Sequence, residues 1–131
     1  MSRDKNVVGW FEIPVTKMER AVAFYEKVFG FKMESMQMGP IDMAMFPYSQ
    51  DPKAPGASGS LVFNKEFYEP CTKGTLVYLS SQTGDLADEM SRIEAAGGKV
   101  LMPKKQISPE IGYMGVFEDS EGNRVAIHSR K

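Results

Sequence analysis

The stretch "VVGWFEIPVTKMERAVAFYEKVFGF", Val7–Phe31, changes period half-way along. Up to Val15 its aromatic and β-branched residues suit a pleated strand. From there Met18, Val22, Tyr25 and Val28 recur at helical spacing, with Phe29 widening the stripe. Gly30 stands where a helix would end. Pro14 cannot donate to a ladder, so it belongs near the strand end or at an edge. Thr16 is expected to cap the helix, with Glu19 three residues on completing a capping box. One acid, Glu12, interrupts the apolar strand. Alternation turns Phe11, Ile13 and Val15 toward the helix and Val8, Trp10 and Glu12 to the other face. A carboxylate facing an apolar interior is costly unless paired. No cation within two positions on its strand can pair it, so the partner must come from another strand, another subunit, water or a ligand.

The same order recurs later. In the first half "FKMESMQM" and "IDMAMFPY" read as strands joined at Gly39-Pro40, and "SLVFN" as a fourth strand after a Pro/Gly/Ser loop. In the second half "TLVYLSS" is strand-like and "GDLADEMSRIEAAGG" helical, with Leu86, Met90, Ile93 and Ala96 on one face. "KVLMP" reads as a strand and "KKQISPEI" as a loop; "YMGVFED" and "NRVAIHS" are strands joined through Gly122. The halves superimpose at a constant shift of 68 positions: Val8 on Leu76, Trp10 on Tyr78, Glu12 on Ser80, Gly30 on Gly98. Identity is negligible but the pattern repeats, the signature of a duplicated unit. The chain is expected to be one domain over 1–131, with modules at about 6–66 and 74–131.

Composition narrows the function classes. Lys and Arg number 16 against 17 Asp and Glu, so there is no basic footprint for nucleic acid or an acidic membrane. The polar start "MSRDKN" lacks a signal peptide's apolar segment, and no apolar run is long enough to span a bilayer. Cys71 is the single cysteine, so no internal disulfide can form. A reducing, cytoplasmic setting is expected.

"WFEIPVTKMERAVAFYEKVFGF", "IEAAGGKVLMP" and "GYMGVFEDSEGNRVAIHS" together resemble the vicinal oxygen chelate superfamily, also called the glyoxalase, bleomycin-resistance and dioxygenase superfamily. The "FEIP" form resembles the branch described as related to lactoylglutathione lyase. The resemblance implies an α+β fold: two βαβββ modules forming one curved mixed sheet around a cavity, helices on the outer face. Leu76, Tyr78 and Ser80 would then face the cavity from the second module, and Ala126 and His128 would share a face on the last strand. It also implies a homodimer, for whose contact Phe46, Tyr48, Phe67 and Tyr68 are candidates.

Metal-dependent members of that superfamily set His and Glu around a divalent ion with open positions for substrate oxygens. Transferred by spacing, the expected ligand positions fall on Trp10, Tyr78 and Ala126, and the fourth strand offers only Leu61, Val62 and Phe63 in its middle. Indole and alanine are not ligands, and a neutral phenol is a poor one. The usual metal site is therefore expected to be absent, with no cofactor. Trp10 and Tyr78 suit an aromatic wall for a flat ligand. Glu12, Ser80, His128, and Tyr113 beside the "KKQISPEIG" loop complete the candidate ligand-binding set, with Glu12 the candidate catalytic base. Lys104 and Lys105 are solvated or meet an anionic ligand. Two function classes follow: a metal-free protein binding a small organic molecule in an aromatic-lined cavity, or a lyase or isomerase of small carbonyl compounds using Glu12 or an atypical metal set.

Overall fold

The computed structural model describes residues 6–131. The first module runs β1 (Phe11–Pro14), α1 (Met18–Phe29), β2 (Glu34–Met38), β3 (Ile41–Met45) and β4 (Gly59–Phe63). The second repeats it: β5 (Tyr78–Ser80), α2 (Leu86–Met90), β6 (Lys99–Ser108), β7 (Gly112–Glu118) and β8 (Arg124–Ser129). The mixed sheet is made in two halves. One is ordered β1-β4-β3-β2 and the other β5-β8-β7-β6, with β1 parallel to β4 and β5 parallel to β8. The sequence shift of 68 survives in the hydrogen-bonded register: Phe11 pairs with Gly59 as Leu79 pairs with Ile127, and Glu12 with Ser60 as Ser80 with His128. β1 and β5 each keep one edge outside the ladders, and no Cα of one comes within 8 Å of the other, so they do not merge into a single continuous sheet.

Each helix covers one face of its own sheet. Ile13 and Val15 from β1 and its exit are buried with Ala21, Phe24, Tyr25 and Val28 of α1. In the second module Leu86 and Ile93 meet Phe117, Val125 and Ile127. The two sets form one core. Phe24 lies 5.9 Å, centroid to centroid, from Phe117, and truncating such a fully buried ring costs about 3–5 kcal/mol.

Helix α1 is not capped by Thr16. The N-cap is Lys17, without a side-chain cap bond. The Glu121 carboxylate instead accepts from the backbone N–H of Thr16 (2.9 Å) and Lys17 (2.8 Å) and from the Arg20 guanidinium (2.7 and 3.0 Å). It satisfies orphan donors at the helix start and places negative charge at the positive end of the dipole. Next to it the buried Asp119 carboxylate accepts from Tyr25 Oη (2.6 Å), and Asn123 Nδ2 donates to the Pro14 carbonyl (2.7 Å). The hairpin turn of the second module thus clamps the strand-to-helix passage of the first.

Two second-module elements differ from the sequence expectation. α2 stops at Met90, and residues 91–97 continue as tighter turns, with Arg92 N donating to Glu89 O and Gly97 N to Glu94 O. The apolar period outlasts the helix, so Ile93 is still buried. β6 runs through "KKQIS", which was expected to be loop. Its pairing with β7 shifts register around Pro103, which has no N–H to give. The adjacent glycines of "AAGG" serve different needs. Gly97 takes φ +106°, while a Cβ on Gly98 would lie 2.6 Å from the Glu118 carbonyl and 2.7 Å from the Phe24 ring.

Candidate functional site: a cleft between the modules

The gap between β1 and β5 is a cleft of about 1060 Å³. Its polar and aromatic rim is supplied by Trp10, Glu12, Tyr78 and Ser80, and Phe11, Phe31 and Phe46 also line it. The aromatic cluster is built by contact: Phe46 lies 5.5 Å from Phe11 and 5.9 Å from Phe31, centroid to centroid. Phe46 is only 5 % exposed, so it belongs to this chain's own core and is not a subunit contact. Trp10 and Tyr78, equivalent under the repeat, remain 42 % and 49 % exposed.

Glu12 lines this cleft, but it is exposed rather than sunk in an apolar interior. Its partner comes from the linker: Tyr68 Oη donates to Glu12 Oε1 at 2.6 Å. That hydrogen bond holds the Tyr68 phenol above its usual range, with slight burial and the nearby carboxylate charge acting the same way, so Tyr68 stays a donor. Across the ladder from Glu12, Ser60 is buried and its Oγ has no hydrogen-bond partner.

Tyr113 and His128 do not join the cleft lining. Pairing puts Tyr113 on the face of Ser129, Gly115 and Ile127, and Gly115 lies against Met90 and Leu86, so this is the helix side. The Lys104 ammonium lies 4.7 Å from the Tyr113 ring centre and 2.7 Å from Asp85, which it holds below the ordinary Asp range. Lys104 is thereby committed to the start of α2. His128 shares the Ala126 face, and its Nε2 donates to the Ile111 carbonyl at 2.7 Å.

The residues that sequence reasoning missed are Tyr68, the aromatic floor, and Lys73 and Arg124, which line the cleft near the linker. The shift of 68 could have found one more: Ser58, also on the cleft, is the equivalent of Ala126.

A family model described as "Glyoxalase/Bleomycin resistance protein/Dioxygenase superfamily" matches residues 7–127. The chain belongs to this superfamily. A glyoxylase-like domain-containing protein of Didymella fabae is 28% identical over 123 residues, covering 94% of this chain and 93% of that protein. The glyoxylase/bleomycin resistance protein/dioxygenase domain from Frankia sp. EAN1pec shares the fold at a TM-score of 0.71 and 14% identity, covering 98% of this chain and 100% of the domain. Glyoxalase I from Zea mays matches at a TM-score of 0.66 and 19% identity; 92% of this chain is covered, but only 45% of the maize enzyme. No three His, Cys, Asp or Glu side chains cluster to hold an ion among the described residues. No helix among them is long and apolar enough to cross a membrane.

Proposed function

We propose that this superfamily member binds a small, flat organic molecule in the cleft without a metal. One observation carries the reading: Trp10 and Tyr78, half-exposed, occupy equivalent positions on the two modules and line the same cleft. An indole and a phenol there offer stacking surface where a metal-dependent relative needs nitrogen or oxygen donors. The protein acts as a homodimer in the cytoplasm on this reading. Exposed Val8, Tyr48 and Phe67 offer apolar surface for a second copy, and a lone free Cys71 fits a reducing setting. Trp10 is the only tryptophan, so its fluorescence reports the cleft directly. Native mass spectrometry of freshly purified protein should detect a bound small molecule, and its removal and re-addition should change Trp10 emission. Emission unchanged by every aromatic compound in a diverse panel would defeat the reading.

A second reading rests on the carboxylate–phenol pair at 2.6 Å. Glu12 as base and Tyr68 as proton donor suit a lyase or isomerase of small carbonyl compounds. Glu12→Gln keeps shape and hydrogen bonding but removes the charge. Turnover should then disappear, with stability changed by less than about 1–2 kcal/mol. Turnover that survives the substitution rejects Glu12 as base.

A further inference from the structure

We infer that the linker end of the cleft, at Lys73 and Arg124, receives an anionic group of the ligand: a carboxylate, sulfonate or phosphate. The inference rests on the small-molecule reading above and names the ligand's charge. Both cations line the cleft. Among the described residues neither has a carboxylate within 4.0 Å: the ion pairs there are Arg20–Glu121 and Lys104–Asp85. Glu118 is the cross-strand neighbour of Arg124, yet it forms no ion pair with it.

Arg124 is also held in place with donor capacity to spare. Its Nη2 donates to the Gly74 carbonyl at 3.0 Å, while its Nε is buried with no acceptor. A guanidinium fixed through one arm keeps further N–H donors, and its planar fork matches a carboxylate, sulfonate or phosphate. The surrounding backbone is tied down. Cys71 N donates to Asn123 Oδ1 at 3.2 Å, and Arg124 N to the Cys71 carbonyl at 3.4 Å, so the turn bearing Lys73 and the start of β8 hold each other. The acids on the cleft sharpen the placement. Glu12 is engaged by Tyr68, and Glu69 repels an anion from its own stretch of the linker. The ligand class is thus a flat apolar body with one acidic group.

Two dyes test this with the full chain: 8-anilinonaphthalene-1-sulfonate, and N-phenyl-1-naphthylamine, the same ring system without the sulfonate. In fluorescence titrations the sulfonate should bind at least about tenfold more tightly. Added salt should narrow that gap. Lys73→Gln and Arg124→Gln should each narrow it several-fold and the double variant should nearly close it, with the neutral dye unaffected. Lys32→Gln, an exposed lysine away from the cleft, should leave the gap intact. Lys73 lies on an exposed turn, so its variant carries the test even if Arg124→Gln fails to fold. Equal wild-type affinities for the two dyes, or a gap surviving Lys73→Gln, overturn the anionic subsite while small-molecule binding stands. Failure of both dyes to bind folded protein overturns both readings.

Discussion

Glu121→Gln should make this protein markedly easier to unfold. The side chain is fully buried, and its two oxygens accept from two backbone N–H groups, the Arg20 guanidinium and Ser120 Oγ. Burial alone would raise the Glu121 pKa, but the hydrogen bonds from Arg20, Lys17, Thr16 and Ser120 together win and hold it at about 2. Against an ordinary Glu, that depression corresponds to about 3 kcal/mol. Arg20 is half-exposed, so solvent screening lowers the usable part to about 2 kcal/mol. The folded-state pKa is depressed, so this stability is present above the unfolded pKa near 4.5 and is lost as pH falls from there toward 2. The glutamine also points an amide N–H₂ at donors, which adds to the loss. Urea unfolding at pH 7 should show the variant about 2–4 kcal/mol less stable than wild type, with the difference shrinking between pH 5 and about 2. A difference below about 1 kcal/mol at pH 7, or one constant down to pH 3, refutes the clamp.

Tyr25→Phe leaves the buried Asp119 carboxylate short of its 2.6 Å donor; a loss of about 1–3 kcal/mol by calorimetry is expected, and none would mean that the bond contributes nothing. Gly59→Ala should abolish soluble expression or lower Tm steeply, because its Cβ would lie 2.3 Å from the Phe11 carbonyl; a variant melting within a degree or two of wild type contradicts the β1–β4 register. Elemental analysis after dialysis should find no stoichiometric Zn, Ni, Mn or Fe, and a chelator should not shift Tm. One metal per chain, lost together with stability, reverses the assignment of Trp10 and Tyr78 as stacking surface.

What the sequence disclosed was what repeats or alternates. The shift of 68 carried over into the ladder register because both modules fold the same strand pair, so Glu12 opposite Ser60 restates Ser80 opposite His128. Alternation separated the buried Ile13 and Val15 from the exposed Trp10 and Glu12. What it hid was long-range. Glu121 reaches Thr16 across 105 residues, and a local capping-box pattern at Thr16 and Glu19 offered a closer, unused solution. Tyr68 finds Glu12 from a linker with no counterpart in the repeat, so no internal comparison could point to it. "KKQIS" extends β6 instead of forming a loop, because pairing with β7 across the sheet is invisible in the local pattern, and that pairing sets Tyr113 on the helix side.

The clamp at Glu121 has a consequence for the order in which the chain can acquire structure. The acid that completes the start of α1 lies 101 residues beyond Arg20, its partner in the helix. At about 5–20 residues per second, a ribosome exposes that helix for roughly 5–20 seconds before its cap has been synthesised. During that interval Thr16 and Lys17 have only water for their backbone donors, and the Pro14 carbonyl lacks Asn123. The start of α1 therefore gains the Glu121 carboxylate only after the turn between β7 and β8 has been synthesised.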